Sequence, residues 1–264
     1  MLFSKSFVLL AASYFGLGSG AAVSAPKPIA KRATGIPVLG NVPYPNTTYA
    51  GVTVIDTPLV RAAIEFTRQH SSDAVFRHQM RAWLFGSLII AGNETLRNSV
   101  DIEVQALSAL LHDLGWDMDP DSPITTKERR FEVDGAIAAR KFIEEFGDDN
   151  FDQRRLQLVW DAIALHTTRT IGYYKEYEVQ VTSMGISVDY DGLKPGVTNE
   201  SFHAITTAFP NFDLKDATND TFTWFCATKP DVTYDTNLQP WGERYLSNYT
   251  TVGKLRIDHI FENL

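Results

Sequence analysis

From Pro58 onward the apolar residues recur mainly at intervals of three and four, the spacing that lays them along one face of an α-helix. Leu59, Val60, Ala63, Ile64, Phe66 and Thr67 line a first helix; Ala74, Phe76, Trp83, Leu84, Leu88 and Ile89 line a second, with Asp73 where an N-cap belongs. A third, over Asp101 to Leu114, is apolar on nearly all sides from Ala106 to Leu111, which predicts a central helix, and Gly115 stops it. Phe131 to Phe146, ended by Gly147, and Phe151 to His166, with Leu156, Val159, Trp160, Ile163 and Ala164 facing inward, predict a fourth and a fifth. Tyr173 to Ile186 is ambiguous, with helix favoured. Ser201 to Phe209, broken by Pro210, and Asp216 to Ala227, followed by Lys229-Pro230, predict a smaller C-terminal helical pair. Strand-like alternation is scarce, and neither an internal repeat nor a Gly-rich phosphate loop occurs. The expected fold class is all-α.

Composition narrows the function classes. Of 264 residues 44% are hydrophobic and 21% charged, with 16 Phe, 10 Tyr and 5 Trp, which excludes disorder and suffices for one buried core. Lys and Arg number 24 against 32 Asp and Glu. The first 32 residues hold four of the basic residues and no acidic one, so the remainder carries 20 against 32. A surface this acidic repels phosphate backbones, and nucleic acid is excluded as a partner. A small-molecule substrate is expected instead, and a homo-oligomer stays open.

The beginning of the chain reads as an address. One positive charge at Lys5, an apolar run from Phe7 to Leu17 and small residues through Ala22 and Ala25 form the three-part pattern of a secretory signal peptide over residues 1–22. That run is too short and too broken for a membrane span. Lys31-Arg32 resembles a dibasic processing site, a surface basic pair being the alternative, within a pro-segment or linker over 23–50. The expected location is extracellular. Five N-x-S/T sequons, at Asn46, Asn93, Asn199, Asn219 and Asn248, fit a secreted glycoprotein. Cys226 is the single cysteine, so no internal disulfide forms, and its aromatic neighbours predict a small packed hydrophobe.

Chemistry concentrates in Leu110-Leu-His-Asp-Leu-Gly115, at the end of the most apolar helix. A His112-Asp113 pair there is costly unless something binds it. Adjacent helical residues point about 100° apart, so both reach one ion only at a helix edge, with further donors from other helices. His78, in Phe76-Arg-His-Gln-Met80, is the evident donor, and imidazoles with a carboxylate suit a borderline divalent metal. His70, His203 and His259 lack supporting neighbours and are assigned to surface or core.

These residues resemble the HD-domain superfamily of metal-dependent hydrolases. The segments Arg77 to Gly86, Ala109 to Gly115, Arg130 to Ala136, Ala162 to Thr167 and Gly185 to Gly192 are together similar to its cyanamide hydratase-like branch, over roughly Thr57 to Tyr245. The resemblance implies a helical HD-domain bundle over 51–264, with a core about 57–195 and a small C-terminal helical extension over 196–264. It implies His78, His112, Asp113 and Asp189 as ligands of one divalent ion, Zn²⁺ or Fe²⁺ with Mn²⁺ as an alternative; Asp191 and Asp161 are the competing choices for the last ligand. His166 is the one histidine between Asp113 and Asp189, which argues for a single metal and leaves it to face the substrate as a proton shuttle. Glu132 takes a polar pocket role, against an ordinary capping use for it and for Asp134. With Asp113 and His166, Glu132 completes the expected catalytic set.

The implied activity is that of a metal-dependent hydro-lyase: water, its pKa lowered by the ion, adds to the nitrile carbon of cyanamide or a related small nitrile, giving urea or an amide. The first alternative is an HD-type phosphohydrolase of nucleotides or phosphomonoesters, for which Arg77, Arg81, Arg129 and Arg130 would hold phosphate oxygens. The second is a secreted, non-catalytic HD-fold binding protein.

Overall fold

The computed structural model describes residues 44–264; the signal-peptide segment 1–22 and Lys31-Arg32 lie outside the described residues. An antiparallel hairpin comes first, β1 (Asn46–Tyr49) with β2 (Val52–Ile55), in the register Asn46 opposite Ile55. Twelve α-helices follow among the described residues. They are α1 (Pro58–His70), α2 (Asp73–Ala91), α3 (Glu94–Ser99), α4 (Ile102–Leu111), α5 (Phe131–Phe146), α6 (Gln153–Leu165), α7 (Arg169–Gly172), α8 (Tyr177–Asp191), α9 (Asn199–Ala208), α10 (Leu214–Thr228), α11 (Gln239–Tyr245) and α12 (Arg256–Glu262). Short 3₁₀ turns occupy Leu114–Trp116 and Pro230–Val232. The architecture is an all-α bundle, as the periodicity predicts. No helix among the described residues is long and apolar enough to cross a membrane.

Local chemistry sets the helix starts. Thr57 accepts from the Val60 amide ahead of Pro58, Ser72 from Val75, Asp101 from Glu103 and Val104, and Asp152 from Arg155. The caps correct two expectations: Ser72 rather than Asp73 caps α2, and α6 begins at Gln153 rather than Phe151. The ambiguous segment is helical but shifted, since α8 runs to Asp191 after the separate turn of α7. The hairpin was not anticipated because each strand has only four residues and β1 reads Asn-Thr-Thr-Tyr, without an apolar alternation. It turns residues 46–49, expected in the linker, into a strand. Trp160, expected to face inward, is only half-buried, with the Arg140 guanidinium 5.8 Å from its ring centre.

Helix α4 is central: every residue from Glu103 to Leu111 is buried, and α2, α5, α6 and α8 pack around it. Helices α2 and α8 cross in direct backbone contact. A Cβ placed on Gly185 would lie 2.5 Å from the Ala82 carbonyl oxygen and 2.9 Å from the Gly86 amide nitrogen, so the two backbones touch there. Gly185→Ala therefore gains about 1 kcal/mol of helix propensity but forces apart two backbones that cannot rotate away. We expect a net loss of roughly 1–3 kcal/mol in thermal denaturation; an unchanged or raised melting temperature would contradict the contact.

The apolar interior has two parts. The larger joins the hairpin with α1, α2, α4, α5, α6, α8 and α9 through residues such as Trp83, Phe85, Leu107, Leu110 and Val181. The second is aromatic and joins α2, the 114–116 turn, α5 and α10 through Val75, Trp116, Phe131, Phe222, Phe225, Cys226 and Leu238. Cys226 is buried as expected, its thiol 3.4 Å from the Leu238 carbonyl oxygen. Lys229, buried just past α10, donates to the carbonyls of Thr126 and Arg129 at 3.1 and 3.0 Å and to Asp134 at 3.2 Å. It thereby ties the C-terminal extension to the loop before α5.

Candidate metal centre

The N-terminal third of α2 meets the C-terminal ends of α4, α6 and α8, and this junction collects His78, His112, Asp113, His166 and Asp189. Expected to run to Leu114, the central helix instead ends at Leu111, with His112 as its C-cap. Asp113 leaves the helix at φ −104° and ψ 22° and opens the 3₁₀ turn. That break resolves the 100° problem, because Asp113 is free to turn back beside its neighbour. Gly115 permits it: a Cβ there would lie 2.1 Å from the Phe131 carbonyl oxygen. The glycine is required for close approach to the start of α5 rather than as a helix stop.

His78, His112 and Asp113 are buried and place one ligand atom each within a common cluster. The Nε2 atoms of His78 and His112 are 3.2 Å apart, and Asp113 Oδ2 lies 3.0 Å from His112 Nε2 and 3.8 Å from His78 Nε2. Two donors each about 2.1 Å from a shared ion lie about 3.0–3.8 Å apart when they subtend roughly 90–130°. The three separations match that range.

The hydrogen-bond network sets the tautomers. His78 Nδ1 faces Asp189 Oδ2 at 2.7 Å, His112 Nδ1 the Ala109 carbonyl at 2.8 Å, and His166 Nδ1 the Ile163 carbonyl at 2.7 Å. Each Nδ1–H donates outward, so His78 and His112 turn their Nε2 lone pairs toward the centre. Neither oxygen of Asp113 has a hydrogen-bond partner although both are buried. A carboxylate facing imidazole lone pairs is repulsive unless a cation stands between them. Burial pushes the His112 pKa below its ordinary value, which disfavours an imidazolium in that role. An ionised oxygen donor with two lone-pair nitrogens fits one divalent metal ion.

Asp189, expected as the fourth ligand, stands outside this cluster. It accepts a hydrogen bond from His78 Nδ1–H and is paired with the fully buried Arg81, whose Nε lies 3.0 and 2.9 Å from its two oxygens. Burial would raise its pKa, but His78 and Arg81 hold it below the ordinary value. It stands behind His78 and fixes the orientation of that ring. Neither competitor is at the centre: Asp191 is exposed and pairs with Arg169, and Asp161 pairs with Lys175 at 2.9 Å.

His166 is 5% exposed, with Nε2 3.5 Å from Asp113 Oδ1. Its ring meets His112 edge-on at 5.0 Å and Phe131 edge-on at 5.6 Å. Burial would lower its pKa, but Asp113 outweighs that and raises it. Glu132 is buried close by, bonded to Arg130 and to the Thr167 hydroxyl. Asp134, read as capping, is buried and bonded to Thr126, Arg129 and Lys229. Sequence reasoning missed Thr167 and the pairing of Arg81 with Asp189; the one available signal was position, beside His166 and one turn after His78. His70 bonds the Phe66 carbonyl at 2.9 Å, and His203 and His259 are exposed. Of the sequons, Asn46, Asn93, Asn199 and Asn248 are exposed, whereas Asn219 lies within α10 and accepts from the Trp241 indole at 3.0 Å.

No curated protein matches the chain. Residues 75–195 match the HD domain family, a span that opens three residues before His78 and closes just past α8. The match and the buried His-His-Asp cluster together support the helical core as an HD domain, the fold of metal-dependent hydrolases.

Proposed function

We propose that this chain is an exported hydro-lyase of the cyanamide hydratase-like branch, adding water across the nitrile of cyanamide or a similarly small nitrile. The observation that carries the reading is the state of the basic residues around the centre. Arg77 is bound to Asp213 and the Pro210 carbonyl, Arg81 to Asp189, Arg129 to Asp134 and Arg130 to Glu132. Each guanidinium that a phosphate would need is already neutralised by a carboxylate. What faces the cluster is an imidazole and aromatic rings, a setting for a small uncharged molecule.

One divalent ion in this centre, Zn²⁺ or Fe²⁺ by donor type, would supply Lewis acidity and lower the pKa of a water in its open position. The chain's own residues do the rest. His78, His112 and Asp113 hold the ion, and Asp189 and the Ala109 carbonyl fix the imidazoles. His166 handles the proton: as the new C–O bond forms at the nitrile carbon, one π bond of the nitrile opens and its electron pair takes a proton at nitrogen from His166 Nε2. Glu132, beside His166, favours the imidazolium before transfer. Moving the remaining hydroxyl proton to nitrogen then gives the amide, which is urea when the substrate is cyanamide.

The test is urea formation from cyanamide by the metal-loaded protein, with Asp113→Ala as control. Urea from the wild type and none from the variant is the expected result. A folded, metal-loaded protein that forms no urea sinks the assignment, and turnover of a phosphate ester in its place would establish the phosphohydrolase alternative.

A further inference from the structure

The centre is closed to solvent. His78, His112, Asp113 and His166 are all buried, and so are the Phe131 ring and the Asp189 carboxylate packed against them. A ligand reaches such a site only when something moves. Tyr190 departs from this burial: its ring meets the His78 imidazole edge-on at 5.3 Å, yet the residue is 48% exposed. It touches the cluster on one side and water on the other.

Its place follows from α8. Asp189 and Tyr190 are successive residues in the last turn of that helix, so their side chains diverge by about 100° and hold one imidazole from two directions. The carboxylate takes the Nδ1–H at 2.7 Å, and the phenol ring lies along the edge. The Tyr190 hydroxyl is turned inward. Its burial raises the phenol pKa, the Asp113 carboxylate adds to the rise, and the Thr218 hydroxyl on α10 opposes it. Thr218 is anchored in turn, donating to the Leu214 carbonyl at 2.8 Å, and α10 is tied to α2 by the pair Arg77–Asp213. The ring thus reaches from the end of α8 toward α10 across His78, with both supports fixed and its outer face free.

We propose that Tyr190 is the gate of this centre and its specificity-determining residue: the ring swings off His78 before an ion or a substrate enters, and the opening left by one aromatic ring admits only small molecules. The match to a small nitrile rests on the hydration reading above; the test of the gate does not.

A gate and a support differ in what they change. A barrier slows entry and exit alike and leaves the equilibrium where it was, whereas a residue that merely props His78 alters release and affinity together. Metal-free wild type, Tyr190→Ala, Tyr190→Trp and Tyr177→Ala are mixed with Zn²⁺ by stopped flow, and the zinc-loaded proteins with EDTA. In Tyr190→Ala, uptake and release should both rise at least about 10-fold, with Kd within about 3-fold of wild type. Tyr190→Trp, a larger ring on the same seat, should slow both, which tests the gate in the opposite sense even if the alanine variant does not fold. Tyr177→Ala, at an exposed tyrosine in the first turn of α8, should exchange zinc as the wild type does. Wild-type rates in Tyr190→Ala or Tyr190→Trp would overturn the gate, and faster release with a matching loss of affinity would make Tyr190 a prop for His78 instead. Zinc exchange controlled by this ring in a protein that forms no urea would refute hydration and keep the gate.

Discussion

Asp113→Asn should lower the affinity for a divalent ion by more than roughly 100-fold, the upper end of what losing an outer partner of a ligand costs, while making the metal-free protein more stable. The opposed signs follow from one observation. Without an ion, both carboxylate oxygens are buried and unbonded, with the His112 Nε2 lone pair 3.0 Å away. Asparagine removes the charge and offers an N–H to that lone pair, so relief of roughly 1–3 kcal/mol is expected. With an ion, the same change deletes an anionic ligand. Thermal denaturation with and without a chelator separates the two. The wild type should gain about 4 kcal/mol from metal at a thousandfold excess over its Kd, and the variant almost none. A metal-free variant less stable than the wild type would mean that Asp113 holds a partner of its own.

Asp189→Asn carries the second large effect and tells a ligand from a positioning residue. The amide oxygen still accepts from His78 Nδ1, but the fully buried Arg81 loses its counter-charge. An uncompensated buried guanidinium costs roughly 3–5 kcal/mol, and looser orientation of His78 about 10- to 100-fold in metal affinity. Adding Arg81→Met should restore much of the stability and none of the affinity. If Asp189→Asn instead loses metal as completely as Asp113→Asn, an oxygen of Asp189 binds the ion directly.

The sequence made the residues of the candidate site legible and their arrangement only partly so. His78, His112, Asp113 and His166 stand out because each interrupts an apolar helical stripe, where an imidazole or carboxylate needs a reason. The end of α4 was hidden, since Leu114 and Trp116 continue the apolar pattern through a turn that is no longer α-helical. The place of Asp189 depends on its pairing with Arg81, 108 residues away. A local pattern carries no record of such a bond. The hairpin and the short helices α3, α11 and α12 escaped for a different reason: four to seven residues give too few turns or alternations for a period to emerge.

The Lys229 contact joins two parts of this chain that differ in what they resemble. Every residue of the metal cluster lies within 75–195, the span shared with the HD domain family, whereas Phe222, Phe225 and Lys229, which close the aromatic side over Trp116 and Phe131, lie beyond it. Synthesis proceeds from the N-terminus, so the His-His-Asp cluster emerges first and the aromatic group against Phe131 is among the last parts made. The centre is finished by residues that contribute no ligand. Chains with the same His-His-Asp cluster could thus diverge in what they admit by changing only this late segment, and the cluster need not be rebuilt when the guest changes.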